Sequence, residues 1–111
     1  MVEQRKHPRF PCHGGVELSI PGTHRRTWGN ASDVSRAGCY VETAEPWEVG
    51  VEAEFRMDIG DHEVHGLAVV VTSHPGVGMG LNLKEIYPQF SSAFEAILRA
   101  FQASEDAAPA S

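Results

Sequence analysis

Cysteine is scarce in this sequence, with two thiols, Cys12 and Cys39, in 111 residues. They form neither a C-x-x-C pair nor the dense framework of a small secreted protein, so we expect them to be reduced. Long hydrophobic runs are also missing, because no apolar stretch approaches the roughly 20 residues of a membrane-spanning helix. No apolar signal-peptide segment follows Met1. These absences predict a cytoplasmic protein that does not insert into a membrane.

Positive charge is limited as well, since nine Lys and Arg residues stand against 15 Asp and Glu and the formal net charge is −6. A chain with this charge is not expected to bind a nucleic-acid polymer. The charges are unevenly distributed, because residues 1–36 contain six basic and three acidic residues, whereas residues 37–111 contain three and twelve. This distribution favours a compact anion as partner of the N-terminal part, with a solvated basic tail as the alternative.

A recognisable catalytic or metal-binding arrangement is missing too. The sequence shows no pairing of a nucleophile with a base, so the chain is not expected to be an enzyme. His62 and His65 are three residues apart on a predicted strand, which puts them on opposite faces. Their H-E-V-H sequence is not the helical H-E-x-x-H motif. We therefore predict neither a metal site nor a cofactor.

Alternating apolar and polar residues, which are typical of strands, fill most of the chain. The clearest run covers residues 51–59, and Gly60-Asp61 then offers a tight hairpin turn. Val64 and Leu67 fall out of phase across Gly66, which predicts a β-bulge. The other predicted strand segments lie near residues 16–20, 25–30, 39–43, 62–73 and 77–83. Together they indicate an all-β protein, a small antiparallel barrel.

The period of the apolar residues changes near the C-terminus. Their spacing becomes three and four residues, which predicts one amphipathic helix that lies on the barrel or covers one of its ends. These residues are Tyr87, Phe90, Phe94, Ile97, Leu98 and Phe101. Residues 103–111 lack periodicity and are predicted to be disordered, and residues 1–11 are predicted to form a flexible arm. Residues 12–102 then form a single domain.

Two short motifs near the start hold the groups that a small guanine-phosphate ligand needs. Arg5 and Arg9 form an R-x-x-x-R pair, and guanidiniums bind phosphate oxygens or the O6/N7 edge of guanine. Asp33, Ser35 and Gly38 form a D-x-S-x-x-G motif. The carboxylate can accept from guanine N–H groups, the hydroxyl adds a donor and an acceptor, and glycine lets a ligand approach the backbone. The alternatives are surface ion pairs for the arginines and a capped β-turn for the second motif.

This pair of motifs, in this order and on a chain of this size, resembles the PilZ domain, the bacterial receptor module for the second messenger cyclic di-GMP. In that family an R-x-x-x-R motif precedes the first strand, and a [D/N]-x-S-x-x-G motif joins the second strand to the third. The resemblance runs from about Arg5 to about Phe101. It implies a six-stranded antiparallel PilZ-type β-barrel with one C-terminal α-helix, and cyclic di-GMP as the ligand of both motifs.

The sequence departs from the family pattern at two places. Many members carry a second arginine just before the first motif, where this chain has Gln4, so one bound nucleotide and a stacked pair both stay open. Some members stack a guanine on an aromatic residue ahead of the last strand, where this chain has Thr-Ser-His at 72–74. His74 is therefore the candidate substitute. Arg36, inside the second motif, is a candidate third cation, and Trp28 is interpreted as a barrel or barrel-rim residue.

The first functional hypothesis is a cyclic di-GMP receptor whose arm, with Arg5 and Arg9, closes over the barrel and changes the surface that an effector protein meets. Such a receptor would be a monomer or a ligand-linked dimer. The second hypothesis is a PilZ-like adaptor that binds another protein without nucleotide. A third is a thiol-bearing redox adaptor that uses Cys39.

Overall fold

The computed structural model describes the backbone of residues 9–107 and the side chains of residues 9–103. Arg5 therefore lies outside the described residues, as does most of the predicted arm. The described chain forms six strands, a short 3-10 helix and one α-helix. In chain order these are β1 (Phe10–Ser19), β2 (Arg26–Val34), β3 (Gly38–Glu42), β4 (Glu52–Ile59), β5 (His62–His74), β6 (Gly78–Ile86), the 3-10 helix (Pro88–Phe90) and α1 (Ser91–Ala107).

The six strands form a closed barrel in the order β1-β2-β3-β6-β5-β4, with antiparallel pairing throughout. Strands β1 and β4 close it, and Val16 lies opposite Met57 at this seam. The hairpin between β4 and β5 turns at Gly60, whose φ of 61° lies in the left-handed region that glycine adopts without strain. The predicted six-stranded antiparallel barrel with one C-terminal helix is confirmed.

The barrel interior is filled by alternate residues of the strands. In β4 the buried positions are Ala53, Phe55, Met57 and Ile59. Trp47, in the connection between β3 and β4, joins this core. The guanidinium of Arg25 lies 5.2 Å from the centre of the Trp47 ring, a cation–π contact that covers the indole from outside.

Helix α1 packs against the barrel with one apolar face. Phe94, Ile97 and Leu98 are buried in the common core. Phe101 stacks on Phe10 of β1, with ring centroids 5.9 Å apart and an angle of 19° between the planes. The helix therefore lies beside the start of β1. Within the described part of the chain, no helix is long and apolar enough to cross a membrane.

Both ends of the described chain differ from the predicted boundaries. Helix α1 continues to Ala107, so residues 103–107, predicted to be disordered, are helical. Alanine is the best helix former, and a helical end needs no apolar period. At the other end Phe10 and Pro11 belong to β1 rather than to a flexible arm, because the Phe10 ring is buried against Phe101. That contact joins β1 to the distant helix α1, so the sequence around Phe10 alone does not reveal that its ring is buried.

The β-bulge predicted across Gly66 is not in β5, because Gly66 continues the inward-facing row between Val64 and Ala68 and Leu67 faces outward. The ladder with β6 does shift register next to it, between Leu67 and Ala68, where Lys84 of β6 is the extra residue. A Cβ at Gly66 would lie 2.0 Å from the Glu85 carbonyl oxygen and 2.8 Å from the Phe55 ring, so the glycine admits both the neighbouring strand and a large core residue. The break in phase in the sequence comes from the apolar Leu67 at an outward-facing position.

Candidate functional site

The second motif lies where β2 ends and β3 begins, on the outer face of the barrel. Val34 and Cys39 point into the core, so their strand neighbours Asp33 and Tyr40 face outward. Asp33 and Tyr40 lie directly opposite each other in the β2–β3 ladder. The strand register therefore brings a carboxylate and an aromatic ring to adjacent positions on one surface.

Ser35 uses its hydroxyl to shape the turn between these strands. Its Oγ accepts hydrogen bonds from the backbone N–H groups of Ala37, at 3.2 Å, and Gly38, at 3.1 Å. The hydroxyl also donates to the Gly38 carbonyl at 3.3 Å, and the Ser35 N–H donates to the same carbonyl at 2.8 Å. The side chain is buried, and one donor and two lone pairs are all engaged. Ser35 thus holds the turn in shape, as the capped-turn alternative predicted.

Gly38 is required by the approach of β6. A Cβ there would lie 2.2 Å from the carbonyl oxygen of Leu81, a contact that real side chains do not make. Its φ is not positive. The direction in which a side chain would point at Gly38 is therefore occupied by β6, and the glycine lets β3 and β6 pair closely.

Arg9 and Asp33 bring the two motifs together. The Nη1 atom of Arg9 lies 3.7 Å from Oδ2 of Asp33, and the arginine side chain is 47% exposed. The second carboxylate oxygen, Oδ1, is buried and has no hydrogen-bond donor among the described residues. Asp33 therefore combines an oxygen beside a guanidinium with a second, covered oxygen that has no described donor. This pair of groups suits an anion carrying N–H donors once Oδ1 is uncovered.

Arg36, the candidate third cation, is paired with the helix. Its guanidinium forms two hydrogen bonds with the carboxylate of Glu95 in α1, one from Nη1 to Oε2 and one from Nη2 to Oε1 at 2.9 Å. These bonds lower the pKa of Glu95 and raise that of Arg36. The turn that carries the second motif is thus joined to α1 through an exposed side chain.

His74 lies at the end of β5, beside Tyr40. The Tyr40 hydroxyl and His74 Nδ1 share a hydrogen bond of 3.1 Å, and the two ring centroids are 6.1 Å apart. Tyr40 was not among the predicted site residues, because it fell in the polar phase of β3. The alternation of β3 did place this aromatic residue on the outward face two positions after Gly38, which was the available signal.

The two thiols are poorly suited to redox chemistry. Cys39 is buried in the core, and burial raises its pKa to about 12. Burial and the nearby Asp33 carboxylate raise the pKa of Cys12 to about 11, and its Sγ donates to the Ala31 carbonyl at 3.3 Å. Both thiols are therefore protonated at neutral pH and poorly nucleophilic. Among the described residues, no group of three or more His, Cys, Asp or Glu could hold a metal ion.

Comparison with known families agrees with this geometry. Residues 3–100 match the PilZ domain family. The chain belongs to that family. The match includes both motifs, all six strands of this PilZ domain and the first ten residues of α1. No curated protein matches the chain in sequence.

Two solved structures are similar to this PilZ domain. The inhibitor of motility MotI/DgrA of Bacillus subtilis has a TM-score of 0.73 and 15% identity. That match covers 94% of this chain and 52% of the other, so this chain spans about half of its length. The PilZ domain with c-di-GMP of YcgR from Escherichia coli has a TM-score of 0.72 and 13% identity, with coverage of 93% and 95%. At these identities the similarity shows a shared fold.

Proposed function

We propose that this PilZ domain is a cytoplasmic receptor for cyclic di-GMP that passes the signal to an effector protein and catalyses no reaction. The observation that carries the proposal is the pairing of Arg9 with Asp33 on the outer face beside the motif turn. A guanidinium suits phosphate, and a carboxylate with a free acceptor suits the N–H groups of guanine. The PilZ domain of YcgR, which has a similar fold, was solved with c-di-GMP.

In the proposed complex Arg9 exchanges Asp33 for the phosphates of the ligand, and Arg5 of the same motif joins it. The Arg9–Asp33 pair is long and exposed, so its loss costs little stability. Asp33 then accepts hydrogen bonds from N1–H and the N2 amine of a guanine. Adenine has neither donor on that edge, so cyclic di-AMP should bind more weakly.

Both sides of the proposed ligand face contact α1, which gives the signal a route to an effector. Arg36 pairs with Glu95, and Phe10, next to Arg9, stacks on Phe101. A phosphate that draws Arg36 away removes one of the two links. The helix surface that an effector meets then changes with the concentration of the nucleotide.

A second candidate function is that of an adaptor that binds a protein partner without nucleotide. The ion pairs of the site favour this function. Arg9 is already paired with Asp33, and Arg36 is already paired with Glu95. Ser35 is also satisfied within its own turn. A surface with satisfied charges can serve as a protein interface without a ligand.

Isothermal titration calorimetry of the full chain with cyclic di-GMP and cyclic di-AMP distinguishes the two functions. The receptor should bind cyclic di-GMP saturably and cyclic di-AMP at least tenfold more weakly, and the stoichiometry separates a monomer from a ligand-linked dimer. Arg9→Ala should weaken binding roughly ten- to a hundredfold, because it removes charge-assisted hydrogen bonds. Arg26→Ala, which removes an exposed ion pair with Glu17, is the matched control and should bind like the wild type. No heat with either nucleotide would favour the adaptor.

A further inference from the structure

We infer that Tyr40 provides the aromatic surface on which one base of the nucleotide stacks, in place of the aromatic residue that the sequence lacks ahead of β6. The inference rests on the proposed function, and it names a residue that specifies a planar base at the same site. The sequence predicted His74 as the stacking residue. We assign His74 a different role, which is to hold the Tyr40 ring in position.

The strand register puts Tyr40 beside Asp33, the residue proposed to recognise guanine. Tyr40 lies opposite Asp33 in the β2–β3 ladder, and both side chains are on the outer face. Opposite residues in an antiparallel pair have Cβ atoms about 5 Å apart. On its other side Tyr40 lies opposite Gly80 of β6. The ligand face therefore continues from Asp33 across β3 to β6.

The Tyr40 ring lies close to two glycines of β6, and a Cβ at the nearer one, Gly78, would crowd it. A Cβ at Gly78 would lie 2.8 Å from Tyr40 Cε2, and a Cβ at Gly80 would lie 3.9 Å from Tyr40 Cδ1. The lack of a side chain at Gly78 thus leaves room for the Tyr40 ring beside β6. Tyr40 is half-buried, so part of its side chain is accessible to solvent. An accessible aromatic ring beside the motif is what base stacking requires.

The tilt of the ring is fixed by hydrogen bonding at its far end. The Tyr40 hydroxyl and His74 Nδ1 are 3.1 Å apart. Thr72 Oγ1 accepts from the Gly80 N–H at 3.1 Å and so steadies the strand beneath the ring. A ring held in advance loses little conformational freedom when a base stacks on it. His74 is therefore a positioning residue.

Other described aromatic residues do not fit this role. Trp28 is 62% exposed, but it precedes Asp33 on β2 by five residues, or roughly 16 Å of strand. Phe90 is stacked on His65, with ring centroids 4.3 Å apart. Phe10 is buried against α1. Tyr40 is the aromatic residue of the described chain that adjoins the D-x-S-x-x-G motif on the outer face and is partly accessible.

Calorimetric titration of three variants with cyclic di-GMP tests the inference. Tyr40→Ala should weaken binding about five- to a hundredfold, as loss of one base–aromatic stack does. Tyr40→Phe keeps the ring but loses the hydrogen bond to His74, so it should weaken binding by no more than about threefold, much less than Tyr40→Ala. Trp28→Ala is the matched aromatic control and should leave binding unchanged. Thermal melting of each variant checks that the barrel is folded.

A second readout needs no substitution at the site. The chain has two tyrosines, so selective ¹³C labelling gives two sets of ring signals, and Tyr87, which donates to Glu54 at 2.8 Å, is the internal control. Saturation with cyclic di-GMP should move the Tyr40 ring protons upfield, through the ring current of the base, and leave those of Tyr87 in place. Wild-type binding with unshifted Tyr40 signals and full affinity in Tyr40→Ala overturns this inference alone. No binding by the wild type overturns the proposed function itself.

Discussion

Arg36 in the turn between β2 and β3 and Glu95 in α1 form a bidentate ion pair, and this pair joins the candidate ligand face to the C-terminal helix. The two residues are 59 positions apart in sequence. In the proposed complex the nucleotide competes with Glu95 for the Arg36 guanidinium. Competition between the two is the physical basis of the proposed switch.

Removal of the competing carboxylate should strengthen nucleotide binding. Glu95→Gln keeps the size of the side chain but releases the charge of Arg36 for the phosphates. Because the pair is exposed, we expect a modest gain of about two- to fivefold in affinity for cyclic di-GMP. Calorimetry measures it, with Glu48→Gln in the β3–β4 connection as the control. Unchanged or weaker binding by Glu95→Gln would remove Arg36 from the site.

The same ion pair predicts a pH dependence of stability. Its hydrogen bonds lower the pKa of Glu95, so the unfolded chain takes up this proton at a higher pH than the folded one. The stabilisation is present above the usual glutamate pKa of about 4.3 and is lost as the pH falls through the folded value. Melting temperatures of the wild type and Glu95→Gln should therefore differ at pH 7 and converge in acid. A difference that does not shrink as the pH falls below the usual glutamate pKa would contradict this assignment.

Asp33 should be dispensable for stability and necessary for binding. Its Oδ1 is buried without a donor from the described residues, and an unsatisfied buried acceptor costs about 1–3 kcal/mol. Asp33→Ala should therefore melt at or above the wild-type temperature while it binds cyclic di-GMP at least tenfold more weakly. Asp58→Ala, which removes an exposed ion pair with Arg56, is the control and should not affect binding. A marked loss of stability in Asp33→Ala would assign the carboxylate a structural role.

Gly38 should behave in the opposite way. Gly38→Ala puts a Cβ against the Leu81 carbonyl, so strands β3 and β6 must separate, at a cost of roughly 1–3 kcal/mol or more. At Gly15 a Cβ meets nothing within 4 Å, so Gly15→Ala should change stability by less than about 0.5 kcal/mol. Urea unfolding compares the two. Equal free energies of unfolding for Gly38→Ala and Gly15→Ala would contradict this, because they would show that β3 and β6 accommodate the added Cβ at no cost.

Much of the fold could be predicted because its signals are local. The alternation over 51–59 and the three- and four-residue spacing over 94–101 each lie within one element, and both were confirmed. Tyr87 and Phe90, predicted as part of the same helix, lie before it, at the N-cap and the end of the 3-10 helix. Gly66 shows where a local pattern fails, since the outward-facing Leu67 was counted with the core. A glycine that faces inward beneath Phe55 has no apolar side chain to mark it.

The candidate site was predicted only in its residue types. The motif residues Arg9 and Asp33 do lie side by side, but their order in sequence does not reveal the partners of their neighbours. The contacts Arg36–Glu95, Tyr40–His74 and Phe10–Phe101 all join distant segments. They depend on barrel closure, strand register and the docking of α1. A sequence pattern within one element contains none of these.

The most direct test of the account follows backbone amide resonances of ¹⁵N-labelled full chain during titration with cyclic di-GMP. The account predicts saturable shifts at Asp33, through the turn to Tyr40, and at Glu95 in α1, with little change at the Gly60 turn between β4 and β5. Shifts that saturate elsewhere on the barrel, or a spectrum that cyclic di-GMP leaves unchanged, would contradict it.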